Sequence, residues 1–375
     1  MPWRAVSIMS LRKEFVSMAE SGAINFTELC RRFGISRKTG YKWLHRYESE
    51  GEDGLADQSR RPKRIIRRVD PVVEQQIASI RKSRRWGARK IQRRLQNLAV
   101  GAVPACSTIT AILHRHGLIG AEDRAGRQDW QRFEHPSPNS LWQMDFKAPV
   151  QTLAGVAHPL TVLDDHSRFN LCLYALPDQG GSGVKNKLTK VFIQYGLPDA
   201  MVMDNGAPWG FTREHPYTAL SVWLIRLHIR VIHSRAYHPQ TIGKNERFHG
   251  TLQHELLSNR QWRDLEHLQQ SLYRWRDQYN LERPHDALGL EVPAARYKPS
   301  MRRFHDKLPP IEYPAAAYVR KVQDGGLVHF KGRVFQISRA FRGYPVGLFP
   351  TTIDGVFHLM FCNHKITTVD LNVNS

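Results

Sequence analysis

Apolar and polar residues alternate in blocks through the middle of the chain, residues 138–300, and these blocks predict its strands and helices. Short apolar runs predict strands, and an apolar residue at every third or fourth position predicts a helix. The predicted strands lie near 141–147, 158–164, 169–176 and 200–204, and the predicted helices near 183–195, after Gly243 and from Leu265 to Tyr279. This order indicates an α/β domain in which an antiparallel hairpin feeds a mixed sheet.

Helical patterns come before this domain in two groups. In residues 1–59 a first helix is predicted, Gly34 interrupts the pattern, and Ser36 is placed to cap a second helix. The first helix is marked by Phe26, Leu29, Cys30 and Phe33, with Thr27 as its predicted cap. A helix, a short glycine turn and a basic second helix predict a helix-turn-helix module.

Residues 70–125 predict a second module of the same all-α kind. Its three helices are marked by Val73, Ile77 and Ile80, by Ile91 and Leu95, and, after a predicted cap at Ser107, by Ile109, Ile112 and Leu113. Gly117 is expected to end the third helix. A polar stretch, residues 126–137, then links this module to the α/β domain.

Residues 301–375 consist of short apolar or alternating runs, and they predict a small β-barrel. Glycine-containing pairs separate the runs at Gly325-Gly326, Lys331-Gly332 and Asp354-Gly355, where turns are expected. Two roles stay open for this domain. Its Lys and Arg residues contact DNA, or the barrel is architectural and bridges subunits.

The composition indicates what the chain binds. It holds 55 Lys and Arg against 34 Asp and Glu, a net charge of +21, which predicts a polyanionic partner and nucleic acid first. Residues 1–137 alone hold 27 basic against 14 acidic side chains. The candidate DNA-binding residues there are Arg37, Lys38, Lys42 and Arg46 in the first module, Arg60, Arg61, Lys63 and Arg64 in the linker 60–69, and Arg85, Arg89 and Lys90 in the second module. The linker either enters a narrow minor groove or is a flexible basic tether.

Cysteine spacing and hydropathy exclude other classes of protein. The four cysteines lie far apart without a Cys-x-x-Cys pair, which favours reduced thiols over a disulfide scaffold or a structural zinc site. No apolar run reaches the roughly 18 residues that a membrane-spanning helix needs, and the first residues do not form a recognisable signal peptide. We therefore expect a cytoplasmic protein without membrane contact.

Three acidic residues stand where a nuclease needs carboxylates. Asp145 lies in the apolar run 142–146, Asp204 ends the run 200–204, and Glu246 lies in the helix after Gly243, on a different face from the apolar stripe. Three carboxylates from separate elements suit two Mg²⁺ ions, which prefer hard oxygen ligands. Taken singly, each acid is also explained as a turn former or a salt-bridge partner.

Several longer segments in the same region carry a family resemblance. They are Trp142-Gln143-Met144-Asp145-Phe146, Leu163-Asp164-Asp165-His166-Ser167-Arg168-Phe169, Asp204-Asn205-Gly206, His238-Pro239-Gln240-Thr241, Gly243-Lys244-Asn245-Glu246-Arg247-Phe248-His249 and Tyr279-Asn280-Leu281-Glu282-Arg283-Pro284-His285. In this order the set resembles the DDE transposases of bacterial insertion sequences, whose catalytic core is similar to that of retroviral integrases. The resemblance covers roughly residues 138–298.

The resemblance implies an RNase H-like catalytic core with Asp145, Asp204 and Glu246 as catalytic and metal-binding residues. It further implies two Mg²⁺ ions per active site, with Mn²⁺ as a substitute, and a structural role for Asp164 and Asp165 beside Arg168. Two departures from the family pattern stand out. The 41 residues between Asp204 and Glu246 exceed the usual interval, and Gln253 stands where relatives often have a cation. A DNA phosphate contact is therefore either lost or moved to Lys244 or Arg247.

From these observations we expect a transposase that binds the terminal inverted repeats of its element. The expected chemistry is metal-dependent cleavage at the 3′ end and strand transfer into target DNA by at least a dimer, in the nucleoid of a bacterium. Two alternatives stay open: a non-catalytic DNA-binding protein descended from a transposase, and a structure-selective nuclease with the RNase H fold. The domains follow as 1–59, the linker 60–69, 70–125, the linker 126–137, the catalytic core 138–300 and the C-terminal domain 301–375.

Overall fold

The computed structural model describes residues 7–58, 69–120, 134–210, 217–233, 243–258 and 260–373. The chain divides into two compact units, Met1–Arg68 and Val69–Ser375. Most of both predicted linkers lies outside the described ranges. In the part of the chain that is described, no helix is both long and apolar enough to cross a membrane.

The first unit is a three-helix bundle, and it confirms the predicted helix-turn-helix module. Its helices are α1 (Ile8–Glu20), α2 (Phe26–Arg32) and α3 (Arg37–Glu50), of which α1 was not predicted. Ser36 caps α3 as expected, but Asn25 caps α2 in place of Thr27, whose backbone N–H donates to the Asn25 side chain. The cap lies one residue before the helix, where an Asn carbonyl reaches the second free N–H. The bundle closes around Phe15, Leu29 and Trp43.

The second unit begins with the other predicted helical module. It contains α4 (Pro71–Arg84), α5 (Ala88–Asn97) and α6 (Cys106–Arg115), packed around Ile77, Trp86 and Ile91. Asp70 caps α4, and Pro71 fits the first helical position because it lacks the N–H that would have no helical partner. The predicted cap at Ser107 is wrong: α6 starts at Cys106, so Ser107 already lies inside its first turn.

A six-stranded mixed sheet forms the centre of the α/β domain. Its strands are β1 (Trp142–Phe146), β2 (Val150–Thr152), β3 (Gly155–Asp164), β4 (Asn170–Leu176), β5 (Ala200–Met203) and β6 (Arg230–His233). Strand β3 pairs antiparallel with β1, β2 and β4, whereas β1, β5 and β6 run parallel. The predicted antiparallel hairpin feeding a mixed sheet is therefore present, and β2 and β6 extend it.

Helices cover both faces of this sheet. They are α7 (Gly181–Tyr195), α8 (Ala219–Arg226), α9 (Gly243–Leu252), α10 (Leu265–Leu281) and the short α11 (Pro293–Arg296). Helices α7 and α8 pack on one face, and α9 and α10 pack on the other through Phe248, Leu252 and Trp275. After Leu252 the helix continues as a π-helical turn, Gln253–Leu257, which was not predicted.

Two side-chain amides of α10 replace a neighbouring strand along the outer edge of β4. Gln269 accepts a hydrogen bond from the Ala175 N–H at 2.8 Å and donates one to the Leu173 carbonyl at 3.1 Å. Asn280 does the same for both backbone groups of Asn170, at 2.8 and 2.9 Å. Because buried backbone groups need partners, these amides allow a helix to cover the edge of a sheet.

The C-terminal strands form open sheets, so the predicted closed barrel is not confirmed. The strands are β7 (Tyr318–Lys321), β8 (Leu327–Phe330), β9 (Arg333–Gln336), β10 (Pro345–Pro350), β11 (Val356–Phe361) and β12 (His364–Asp370). Within the described residues they make a four-stranded sheet, β12-β11-β10-β7, and a separate hairpin, β8-β9. Their apolar side chains join the same cluster as α7 and α8. This packing ties the C-terminal domain to the back of the catalytic sheet.

Candidate active site and its basic surroundings

The sheet brings two of the three candidate acids to the same end of adjacent strands. Asp145 lies on β1 and Asp204 follows β5, and these strands are parallel neighbours with Trp142 opposite Met201. Glu246 lies in the first turn of α9, exposed to solvent, while its neighbour Asn245 is fully buried. The helix thus packs through one face and presents Glu246 on another, as predicted.

The carboxylates influence one another electrostatically. Burial raises the pKa of Asp145 to about 6, and the negative charges of Asp204 and Glu246 add to the shift, against a hydrogen bond from the Phe146 N–H. Burial also raises the pKa of Asp204, although the Gly206 N–H donates to its carboxylate. The negative charges of Asp204 and Glu246 thus act on Asp145, and negative charge accumulates in the region around that carboxylate.

His249 lies beside this region without supplying a positive charge. Its Nδ1 is 3.9 Å from the Asp145 carboxylate, and burial lowers the pKa of His249 to about 4. The ring is therefore neutral at pH 7, and its Nε2 hydrogen bonds to the Thr161 hydroxyl at 2.8 Å. His249 packs against the acids and does not neutralise them.

The three acids fit a divalent cation by chemistry, but they do not form a finished metal site. No group of three or more His, Cys, Asp or Glu side chains in the described ranges is arranged closely enough to hold a metal ion. Carboxylate oxygens are nevertheless the ligands that Mg²⁺ and Mn²⁺ prefer, and a cation would lower the raised pKa of Asp145.

Asp164 and Asp165 belong to a buried structural network. Asp164 accepts hydrogen bonds from the Ser167 hydroxyl and from the Asn139 N–H, and it closes the turn between β3 and β4. Asp165 accepts a hydrogen bond from Gln143 at 2.8 Å and forms an ion pair with Lys244. These contacts agree with the structural role that was predicted for the two acids.

The same network determines where Lys244 points. Its ammonium group contacts Asp165, its side chain is mostly buried, and burial lowers its pKa. Lys244 is thus held in the domain interior. Arg247, by contrast, is exposed to solvent. Gln253 is also exposed, and its side-chain amide donates a hydrogen bond to the Ser258 hydroxyl at 3.4 Å.

The candidate DNA-binding residues of the second module face the catalytic domain. Arg85 donates a hydrogen bond to the His254 carbonyl at 3.0 Å, and Arg89 and Lys90 lie 3.6 and 3.5 Å from the Asp286 carboxylate. Glu282 binds two further arginines of the module, Arg84 at 2.9 Å and Arg94 at 3.1 Å. Sequence reasoning missed these pairs because their members lie far apart in the chain.

The candidate residues of the first module surround a buried tryptophan. Arg37, Lys38 and Lys42 are exposed on α3, and Lys42 and Arg46 lie 4.3 and 5.2 Å from the centre of the Trp43 ring. Trp43 was not singled out in the sequence, yet it holds two of the cations by cation–π contact. The predicted contacts at Arg60, Arg61, Lys63 and Arg64, and the loop His238-Pro239-Gln240-Thr241, lie outside the described residues.

Family models match most parts of the chain. Two models described as integrase core domain match residues 135–239 and 227–293. A helix-turn-helix domain model matches residues 11–63, and a homeodomain-like domain model matches residues 39–113. The model described as IS481 family transposase, C-terminal domain, matches residues 317–375.

Two curated relatives come from insertion elements. An uncharacterized 31.7 kDa protein of insertion element IS407 from Burkholderia multivorans is 28% identical over 160 residues, which are 42% of this chain and 55% of that protein. An uncharacterized 39.2 kDa protein of insertion element IS476 from Xanthomonas euvesicatoria is 27% identical over 44% of this chain and 46% of that protein. The chain thus spans about half the length of these relatives.

Solved structures of viral integrases are also similar to this chain, at a lower sequence identity than the insertion-element relatives. A simian T-cell lymphotropic virus intasome, in complex with the PP2A regulatory subunit B56 gamma, has a TM-score of 0.40 and 15% identity, covering 79% of this chain and 96% of that chain. The HTLV-2 integrase catalytic core domain in complex with magnesium has a TM-score of 0.34 and 15% identity, covering 44% of this chain and 99% of that chain. The family assignment rests on the sequence models and the insertion-element relatives.

Proposed function

The chain is, by family, an insertion-sequence transposase of the DDE superfamily, and on that premise we propose that its integrase core cuts and joins DNA with divalent metal ions. Asp145, Asp204 and Glu246 are the proposed catalytic residues. The observation that carries the proposal is the placement of the acids: Asp145 and Asp204 lie at the same end of the parallel neighbours β1 and β5, and Glu246 is exposed on the first turn of α9. The raised pKa of Asp145, to which burial contributes most, supports this placement. Strongly shifted carboxylates that share one region are typical of metal-dependent phosphoryl-transfer sites.

The proposed roles of the residues follow from their chemistry. The three carboxylates hold two Mg²⁺ ions, or Mn²⁺ in their place. When bound, such ions would activate the oxygen of water or of a 3′-hydroxyl as the nucleophile and would stabilise the charge on the leaving oxygen. The protein contributes by positioning the phosphodiester. The nucleophile is water or a 3′-hydroxyl, and no side chain takes that role. Neutral His249 orders Thr161 beside Asp145 and leaves the negative charge of the acids available to cations.

DNA recognition is assigned to the helical modules. In the first module α3 presents Arg37, Lys38, Lys42 and Arg46, and we assign it to the terminal inverted repeats of the element. Helix-turn-helix modules place such a helix in the major groove. The second module lies beside the α/β domain, where its basic side chains pair with Glu282 and Asp286. Joining two ends to one target requires two active sites, so the working form is at least a dimer.

The experiment that tests the proposed function replaces each acid by its amide. Asp145→Asn, Asp204→Asn and Glu246→Gln keep the size of the side chain and remove the charge that binds metal. We expect each variant to lose cleavage of the element end and strand transfer, while binding of the end stays within twofold of wild type. Asp178→Asn, an exposed acid outside the site, is the matched control.

The DNA products of the reaction distinguish between a catalytic and a non-catalytic protein. Cleavage is measured on labelled element-end DNA with Mg²⁺, with Mn²⁺ and with Ca²⁺, whose looser coordination supports binding but little chemistry. Normal strand transfer by any of the three amide variants would remove that residue from the site. Binding without any cleavage by the wild-type protein would instead indicate a non-catalytic descendant.

A further inference from the structure

A groove of about 710 Å³ lies between the second helical module and the catalytic helix α9. One wall is formed by the end of α4, the start of α5 and part of α6, and the other by the outer face of α9 and the π-helical turn. Its lining residues on α9 include Arg247, Gly250 and Thr251, within the two turns that follow Glu246. The groove therefore runs along the helix that carries the third candidate acid.

Ion pairs hold the module in the position that creates the groove. Glu282, at the end of α10, forms ion pairs with Arg84 of α4 and Arg94 of α5. Asp286 forms an ion pair with Lys90 of α5. The apolar cluster of the module stays separate from the clusters of the catalytic domain. Polar contacts, not a shared apolar core, thus join the two walls and leave an open space between them.

The groove carries an excess of positive charge. In its wall Arg283 is paired with Glu255 at 2.8 Å, so these two charges cancel. Arg85 donates to the His254 carbonyl, which fixes the guanidinium without neutralising it. Arg247 lines the groove from the opposite side, and in the described ranges neither Arg85 nor Arg247 has a carboxylate partner. Two arginines without a carboxylate partner among the described residues thus line one open channel, and one of them, Arg85, is held in place by a hydrogen bond.

The local backbone supports this arrangement. Arg85 ends α4 in the left-handed conformation, with φ of 55°, and its guanidinium reaches the His254 carbonyl at 3.0 Å. On α9, Gly250 leaves the channel open, because an added Cβ would meet no other atom within 4 Å. A channel lined by two arginines without carboxylate partners in the described ranges suits an anion such as a phosphodiester.

We propose that this groove binds the phosphodiester backbone of the DNA strand that leads to Glu246. The proposal rests on the proposed function and adds to it a binding path, with Arg85 and Arg247 as phosphate contacts. It also gives the second module a different task from the first. The first module reads sequence, whereas the basic side of the second forms, together with α9, the channel that delivers the strand to the acids.

Gly250 offers a matched pair of variants. Gly250→Glu places a carboxylate in the open channel, and Gly250→Gln adds nearly the same volume without charge. Both residues favour a helix more than glycine does, so folding is not at risk. In full-length protein bound to element-end DNA, we expect Gly250→Glu to bind about tenfold more weakly than Gly250→Gln at 0.1 M salt, as for the loss of one phosphate contact.

The salt dependence identifies the contact as ionic. We expect Arg247→Gln and Gly250→Glu each to reduce the slope of log affinity against log salt by about one, while Arg263→Gln, an exposed arginine outside the groove, leaves it unchanged. Equal affinities and slopes for Gly250→Glu and Gly250→Gln would overturn the proposal. Thermal unfolding of each variant confirms that the fold is retained.

A cross-link tests directly whether the DNA strand lies in the groove. Position 251 lines the groove, so Thr251→Cys in an Asp145→Asn background should form a cross-link by exchange with a mixed disulfide tethered to a phosphate near the cleaved bond, with release of the small thiol. The Asp145→Asn chain with only its native cysteines is the control. No cross-link above that control would refute the groove as the path. A cross-link in a protein whose wild-type form never cleaves DNA would retain the groove and reject the proposed function.

Discussion

Gln269 and Gln270 are neighbours on α10 that face opposite environments, and this pair gives a sharp test of how the catalytic domain is held together. Gln269 is buried and satisfies the Ala175 N–H and the Leu173 carbonyl of β4. Gln270 is exposed and donates a hydrogen bond to Glu266 one turn earlier. Truncation of either residue to alanine removes the same atoms from the same helix.

The two truncations are expected to lower the free energy of unfolding by different amounts. Gln269→Ala leaves two buried backbone groups without partners, and each such group costs about 1–3 kcal/mol, so we expect a loss of about 2–6 kcal/mol in the free energy of unfolding. Gln270→Ala loses one exposed side-chain pair, worth about 0.2–0.5 kcal/mol, and gains helix propensity. Both variants gain the same helix propensity, so they should differ by at least about 1.5 kcal/mol, a factor of about ten in their unfolding equilibrium.

Urea unfolding followed by tryptophan fluorescence measures this difference, since Trp275 on the same helix is buried against Phe248. Hydrogen exchange adds a local measurement. The Ala175 amide should lose its protection in Gln269→Ala and keep it in Gln270→Ala. If both variants unfolded within 0.5 kcal/mol of wild type (about the error expected of such data), the amides would not be holding the edge of β4.

Three further predictions concern buried charge, DNA binding and pH. Glu255→Ala should cost about 3–5 kcal/mol of stability, because it strands the buried Arg283, and a Glu255→Ala, Arg283→Met double variant should recover much of that loss in a urea titration. Lys42→Gln combined with Arg46→Gln should reduce the salt slope of element-end binding by up to about two, and an unchanged slope would remove α3 from the DNA interface. Burial and the charge of Arg283 hold the pKa of His285 well below its ordinary value. The unfolded chain therefore takes up the proton first, so stability should fall with pH below about 6.5, and His285→Gln should lessen that fall.

The strands and most helices could be predicted from the sequence because each buries a continuous apolar side. The run 200–204 is buried at every position of β5, and Phe248, Leu252 and Leu256 all point into the domain. The candidate acids were also accessible to sequence reasoning, since Asp145 and Asp204 each follow or interrupt such a run. Local patterns of this kind report on burial directly.

Features that depend on distant partners could not be predicted. Nothing near Gln269 in the chain marks it as the partner of β4, and Glu282 meets Arg84 across almost two hundred positions. The π-helical turn after Leu252 was missed because apolar spacing alone does not distinguish it from an α-helix. Lys244 was expected at the DNA surface, but its contact with Asp165 becomes visible only once the turn after β3 is folded.

The amides on the edge of β4 also constrain how copies of this chain can assemble. A sheet grows into a neighbouring molecule when the outward N–H and carbonyl groups of an edge strand are available to it. At Asn170, Leu173 and Ala175 those groups are already bound by α10. A second copy of this chain therefore cannot join the first by continuing the sheet through these positions of β4.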